Sequence, residues 1–265
     1  MFDYHMHSDF SADCSVSMES MVIGAIEKGL QEICFTEHID YEYPDKTILF
    51  EFDLHEYDKK LSELQSKYEG KIRIKKGIEL GVQPHILHKY DALMESNTFD
   101  FAICSMHTVE KKGLHAGDLF KNKTIEEAYK VYYEELLYCV KNFKHFSVLG
   151  HIDLVKRYTL THCDNNFHDV LREILDIIIP EGKGIELNTS GIRYGLANGL
   201  PSDDILKLYK QCGGEIITLG SDAHRVTELA FQFPESLQLL QSIGFKYIST
   251  FDKQKPTFHA ISNLI

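Results

Sequence analysis

Phe2-Asp3-Tyr4-His5-Met6-His7 reads as a strand that opens into the turn Ser8-Asp9-Phe10-Ser11-Ala12 and folds Asp13 back toward its own end. Successive side chains of a strand point to opposite faces, so His5 and His7 share a face and can grip one ion, while Tyr4 and Met6 pack behind them. A half-buried strand with two incidental histidines would carry the same pair. The difference lies in recurrence: hydrophobic strands ending in His, Asp or Glu return along the chain.

Apolar residues from Met18 to Leu30 follow the helical period, with Ser17 as N-cap and Gly29 near the end. Glu32 to His38 reads as a buried strand whose last residue is His38. Asp53 and Glu56 form a capping box for a helix that lines up Leu54, Tyr57, Leu61, Leu64 and Tyr68. The strand Ile72 to Glu79 ends in a carboxylate, and a helix from about Pro84 to Ser96 leads to the strand Phe99 to His107. Thr124 and Glu127 cap a long tyrosine-rich helix; the strand Phe146 to His151 and a helix over Phe167 to Ile179 come next. Gly184 to Ser190 is a strand running into Arg193, and a helix from Pro201 to Cys212 precedes the strand Glu215 to His224. A helix interrupted by Pro234 and a short strand at Lys246 to Phe251 complete the chain.

Strands alternating with helices over the whole length imply parallel strands with right-handed crossovers. Seven such units exceed a small open sheet and predict a closed or nearly closed barrel, a single domain over residues 1–265. The 265 residues, 43% of them hydrophobic, suffice for its core. Functional groups in such barrels gather at the C-terminal ends of the strands, where all the βα loops converge. Here those ends read His5/His7, His38, Glu79, His107, His151, Asn188 and Asp222/His224.

The formal net charge of -12 argues against a general nucleic-acid surface, since affinity for phosphate backbones comes from clustered Lys and Arg. Bound divalent cations would offset part of that charge locally, so a small anionic substrate fits. The six cysteines are scattered without a CxxC pair, which makes a thiolate zinc site improbable. No run of 18 apolar residues and no basic stretch with an apolar core are present, so a reduced, cytoplasmic protein without a membrane span is expected.

Imidazole and carboxylate without thiolate suit Zn, Mn or Fe. His5, His7, Asp13, His38, Glu79, His107, His151, Asp222 and His224 are too many ligands for one ion, so two to three divalent ions are expected, with Glu79 bridging a pair. Glu79, Asp222 and His224 are the catalytic candidates. Glu186 and Asp153 read equally well as charge partners. His55, His85, His88, His115, His145, His162, His168 and His259 fall in helices, loops or the tail and are expected to have no chemical role. Arg157 and Arg193 follow strands on the side where the ligands gather, and arginine holds phosphate bidentately as lysine cannot. Arg225, beside His224, is ambiguous.

The ordered set formed by the HxH pair with its later Asp, Thr36-Glu37-His38-Ile39-Asp40, Gly77-Ile78-Glu79-Leu80-Gly81, Ser105-Met106-His107, Gly150-His151-Ile152-Asp153 and Ser221-Asp222-Ala223-His224 resembles the polymerase and histidinol phosphatase (PHP) family. Within it the chain looks most like the stand-alone histidinol-phosphate phosphatases. The resemblance implies a distorted (β/α)7 barrel with a trinuclear metal site. By position, His5, His7, Glu79 and Asp222 would hold one ion, Asp13, His38 and Glu79 a second, and His107, His151 and His224 the third. The family often has His where this chain has Asp13, and a carboxylate there favours a harder metal. Arg157 and Arg193 would contact the substrate phosphate. The implied reaction is hydrolysis of L-histidinol phosphate to L-histidinol and phosphate, in histidine biosynthesis, by a hydroxide bridging two ions. The alternatives are another phosphoesterase of the family, acting on phosphotyrosine or DNA ends, and a metal-dependent binding module without turnover.

Overall fold

The computed structural model describes every residue except Leu160 and His162, so the expectation for His162 lies outside the described residues. Seven strands form its centre: β1 (Phe2–Met6), β2 (Glu32–Phe35), β3 (Arg73–Gly81), β4 (Phe101–Ser105), β5 (Val148–Leu149), β6 (Gly184–Asn188) and β7 (Ile217–Gly220). They pair in sequence order and every neighbouring pair is parallel. The first and last strands meet beyond their ends, where Met6 and Ala223 form a parallel bridge and the Asp222 N–H donates to the His5 carbonyl at 2.7 Å. The result is a nearly closed (β/α)7 barrel, as the alternation predicts.

Helices α1 (Met18–Glu27), α2 (Leu54–Lys67), α3 (Leu87–Ser96), α4 (Ile125–Asn142), α5 (His168–Ile178), α6 (Asp203–Gln211) and α7 (Phe233–Ile243) follow the seven strands in turn. Their starts obey local chemistry. Ser17 accepts from the Ser20 N–H, Asp53 from His55 and Glu56, and Thr124 with Glu127 forms a reciprocal capping box. Each helix turns an apolar stripe inward; in α5 that stripe is Leu171, Ile174, Leu175 and Ile178, all buried. Burial of each such side chain is worth about 1.5–3 kcal/mol before entropy is counted. Tyr129, Tyr132 and Tyr133 of α4 are buried as well. Among the described residues no helix is long and apolar enough to cross a membrane.

Three local expectations change. The strand predicted to reach His38 breaks after Phe35 and resumes as His38–Ile39 beside β3, because Glu37 is drawn aside by hydrogen bonds from Ser8 and Ser11. Pro234 does not interrupt a helix but starts α7, where its missing N–H costs nothing. The short strand near Lys246 is one arm of an antiparallel hairpin, β8 (Tyr247–Asp252) with β9 (Lys255–Ala260). That hairpin packs at the N-terminal end of β1: Phe2 meets His259 at 4.3 Å, and the Tyr4 hydroxyl accepts from the Phe251 N–H at 2.9 Å. The opposite end of the barrel carries the ligand-type side chains.

Candidate metal centre

Glu79, two residues before the end of β3, sits at the middle of the C-terminal mouth and is fully buried. Its Oε1 lies 2.9 Å from Nε2 of His151 and 3.2 Å from Nε2 of His107, and accepts from the Ser105 hydroxyl at 2.7 Å. Its Oε2 lies 3.1 Å from Nε2 of His5, 3.2 Å from Nδ1 of His38 and 3.6 Å from Nε2 of His7. Across the site Oδ1 of Asp222 approaches Nε2 of His7 at 3.4 Å and Nε2 of His5 at 3.7 Å. Asp13 Oδ2 reaches Nε2 of His224 at 3.2 Å and Nε2 of His38 at 3.7 Å. All nine expected ligands therefore converge. Their grouping differs in one respect from what the resemblance implies: His224 stands with Asp13, His38 and His7, whereas His107 and His151 meet on Glu79.

The backbone is shaped for this. Asp222 directly follows the turn out of β7 in the left-handed region, at φ 52°, a conformation that costs energy for a non-glycine residue and is tolerated best by Asn and Asp. Its Oδ2 is held by the Ser190 hydroxyl at 3.0 Å, the Asn188 amide at 3.4 Å and Arg157 at 3.4 Å. Asn188 and Ser190 lie at the end of β6, which explains why that strand end is polar without carrying a ligand.

Outside the cluster a further ring of acceptors grips the imidazoles. Nδ1 of His5 lies 2.6 Å from Glu186, Nδ1 of His107 lies 2.7 Å from Asp40, and Nδ1 of His7 lies 3.1 Å from the Ser11 hydroxyl. Such partners fix which ring nitrogen faces the centre. Glu186 is thus a charge partner of the site, but Asp153 turns away to Lys156 and the Ser202 N–H. The role of Asp40 was missed from sequence; the available signal was its place two residues after His38, immediately past the short strand His38–Ile39.

Burial weighs on every charge here. It disfavours protonated His5, yet Glu186, Glu79 and Asp222 outweigh it and hold His5 well above the usual histidine range. His107 behaves alike, with Asp40 and Glu79 overcoming burial, and His38 is raised against burial to about 9 by Glu79, Asp13 and Asp40. His7 goes the other way, down to about 3, through burial and the neighbouring imidazoles of His224 and His38. Burial also opposes ionised Glu79 and Asp222, but the imidazoles, His5 foremost, drive both far below the ordinary carboxylate range. Left to itself the cluster balances its carboxylates with protons on imidazoles, and divalent cations are suited to replace those protons.

A test of that fit lies in the unsatisfied atoms. Nε2 of His7, Nδ1 of His38 and Nε2 of His224 are buried without a hydrogen-bond partner, and all three belong to the cluster. Buried polar nitrogens are normally paired, and imidazole nitrogens set among carboxylates match a divalent cation that displaces their protons. The residues fit the group.

The mouth opens into a cavity of about 690 Å³ whose walls include Tyr43, Phe50, His115, Tyr158, Tyr194 and Glu228. Arg157 lines it, its guanidinium 4.2 Å over the Tyr194 ring, hydrogen-bonded to Ser190 and with Nε buried and unpartnered. Arg193 is placed differently from the expectation. Its two terminal nitrogens donate to the carbonyls of Ser221 at 2.6 Å and Asp222 at 2.8 Å, so it braces the Asp222 turn, and Arg225 lines the cavity where Arg193 does not. Of the histidines expected to be idle, His115 reaches the cavity wall, while His85, His168 and His259 pair with Glu42, Asp204 and Thr250 elsewhere.

With this geometry in place, comparison with known proteins is decisive for the family: the PHP domain model matches residues 3–190. The chain belongs to the PHP family. This PHP domain is 33% identical over 260 residues to the histidinol-phosphatase of Lactococcus lactis, covering 96% of this chain and 95% of that protein. It is 28% identical over 252 residues to a probable histidinol-phosphatase of Clostridium acetobutylicum, covering 93% and 95%. The crystal structure of the Lactococcus lactis histidinol phosphate phosphatase, complexed with Zn, L-histidinol and phosphate, superposes with a TM-score of 0.87 over 97% of this chain and 98% of that one. The family match ends at the turn after β6, but these relatives extend through Asp222 and His224.

Proposed function

We propose that this PHP domain is a metal-dependent phosphomonoesterase that hydrolyses L-histidinol phosphate to L-histidinol and phosphate. The observation that carries the reaction class is that the imidazoles of His38, His107, His151 and His224, the carboxylates of Glu79 and Asp222, and the guanidinium-bearing Arg157 line one cavity: a site for cations beside a site for an anion. The substrate is narrowed by the near full-length likeness to the Lactococcus lactis enzyme. A volume of about 690 Å³ suits a small phosphorylated molecule.

His5, His7, Glu79 and Asp222 would hold one ion, Glu79, His107 and His151 a second, and Asp13, His38 and His224 a third, each being Zn, Mn or Fe. When bound, divalent ions lower the pKa of water toward neutrality and offset charge on a phosphoryl group. The protein's own residues supply the rest. Arg157 would meet the phosphate through its guanidinium, with Tyr194 under it and Ser190 and Asp222 fixing its plane, so that the group is oriented before the substrate arrives. Glu186 and Asp40 hold His5 and His107 with Nε2 turned inward. Tyr43, Phe50, Tyr158 and Tyr194 form walls for the organic part of the substrate and keep bulk water from the reacting centre. A biosynthetic enzyme of this kind, with six free cysteines, belongs in the reducing cytoplasm.

Steady-state assay of the metal-loaded protein against L-histidinol phosphate, phosphotyrosine and a short oligonucleotide tests the assignment. A clear preference in kcat/KM for histidinol phosphate is expected. Preference for either competitor would replace it.

A further inference from the structure

We propose that Glu37 is a positioning residue that sets the tautomer of His7 through Ser11, a step that rests on the reading of His7 as a metal ligand. Glu37 is fully buried where the second strand breaks. Its carboxylate accepts from the Ser8 N–H at 3.1 Å, the Ser8 hydroxyl at 2.5 Å and the Ser11 hydroxyl at 2.6 Å.

The inference follows from counting hydrogens on one oxygen. A serine hydroxyl has one hydrogen to give and two lone pairs to accept with. Ser11 gives its hydrogen to Glu37, and one lone pair takes the His38 N–H at 3.1 Å. The remaining contact is Nδ1 of His7 at 3.1 Å. Having no second hydrogen, Ser11 can only accept there, so the proton of neutral His7 sits on Nδ1. The lone pair then sits on Nε2, the atom that is buried without a partner, 3.4 Å from Asp222 and 3.6 Å from Glu79. Glu37 never touches His7, yet it decides which face of the ring is free for a cation.

Removing the carboxylate inverts this arrangement. In Glu37→Ala the Ser11 hydrogen loses its acceptor and is free to turn to Nδ1 of His7, which drives the ring proton to Nε2, where Asp222 and Glu79 stand to accept it. The test uses the full chain with ¹⁵N-labelled histidine, stripped with a chelator to read the His7 tautomer, and zinc competition with a chromophoric chelator to read affinity. We expect the parent to carry the proton on Nδ1, and Glu37→Ala to shift it toward Nε2 with a loss of zinc affinity of about tenfold or more. A Glu37→Ala protein that keeps the parental tautomer, or the parental zinc affinity, overturns the proposal. If that variant fails to fold, Ser11→Ala serves instead: it is expected to erase the Nδ1 preference and weaken zinc several-fold, and parental behaviour in both readouts would equally overturn it. A purely packing role would lower the melting temperature without moving the tautomer. Neither readout depends on turnover, so failure to hydrolyse histidinol phosphate would remove the substrate assignment and leave this inference standing.

Discussion

Glu186 Oε2 lies 2.6 Å from Nδ1 of His5, with both side chains buried at the junction of the first, sixth and seventh strands. The contact keeps a proton on Nδ1 of His5 and turns Nε2 inward between Glu79 and Asp222, as the atom that would meet a cation once its own proton is displaced. Glycine is needed at 220 to allow it: a Cβ there would stand 2.5 Å from the Cβ of His5 and 3.3 Å from the Glu186 carboxyl.

Glu186→Gln should accordingly weaken metal binding, on the order of 10–100-fold, because the neutral amide can still accept from His5 but no longer balances the charge on the ring's far side. Zinc competition with a chelator reads the effect. Unchanged affinity in a folded variant would show that Glu186 only fills space.

The two arginines should separate cleanly. Arg157→Ala removes the guanidinium that lines the cavity, so turnover is expected to fall on the order of a hundredfold with metal content near that of the parent. Arg193→Ala releases the carbonyls of Ser221 and Asp222, so activity and metal content should fall together. Metal analysis of both purified variants decides; retained metal in Arg193→Ala would return that residue to the phosphate.

The difference between these arginines also marks where sequence reading stops. The seven strands and nine ligand-type residues were legible because a buried parallel strand is an unbroken apolar run, and its last polar residue marks the mouth of the barrel. Side chains beyond the strand ends carry no such periodicity. Nothing in the order of residues says that Arg193 turns to main-chain carbonyls, that His224 stands with Asp13 rather than with His151, or that Asp40 grips His107. The hairpin Tyr247–Asp252 with Lys255–Ala260 escaped for a related reason: its second arm is largely exposed and lacks an apolar pattern.

Stability should depend on pH in a way that metal abolishes. His38 is raised to about 9 by Glu79, Asp13 and Asp40 against the cost of burial. A histidine whose folded pKa exceeds its unfolded value of 6.5 stabilises fully below the latter, and the contribution is lost as pH rises through about 9. His5, His107 and His224 are shifted in the same direction, while His7 is shifted oppositely and adds nothing above pH 6.5. The melting temperature of chelator-treated protein is therefore expected to decline between pH 6.5 and about 9, and that of zinc-loaded protein to stay level, since cations take the place of the protons. Parallel curves with and without chelator would contradict this.

Gly81→Ala tests how Asp40 is kept in place. Gly81 ends the third strand, and a Cβ built on it would land on the Asp40 carboxyl, which is buried and holds Nδ1 of His107 at 2.7 Å. The backbone at 81 is not in the left-handed region, so the conformation itself accepts alanine and any penalty comes from the collision. Overpacking of this kind costs about 1–3 kcal/mol, and relief is available only by moving Asp40 away from His107. We expect a modest fall in melting temperature together with loss of metal at the His107 and His151 side of Glu79. The double variant Gly81→Ala with Asp40→Ala should bind metal no worse than Asp40→Ala alone, because Asp40→Ala already removes both the hydrogen bond to His107 and the carboxyl that the new Cβ would strike. Additive losses in the double variant would place the effect of Gly81 elsewhere in the strand.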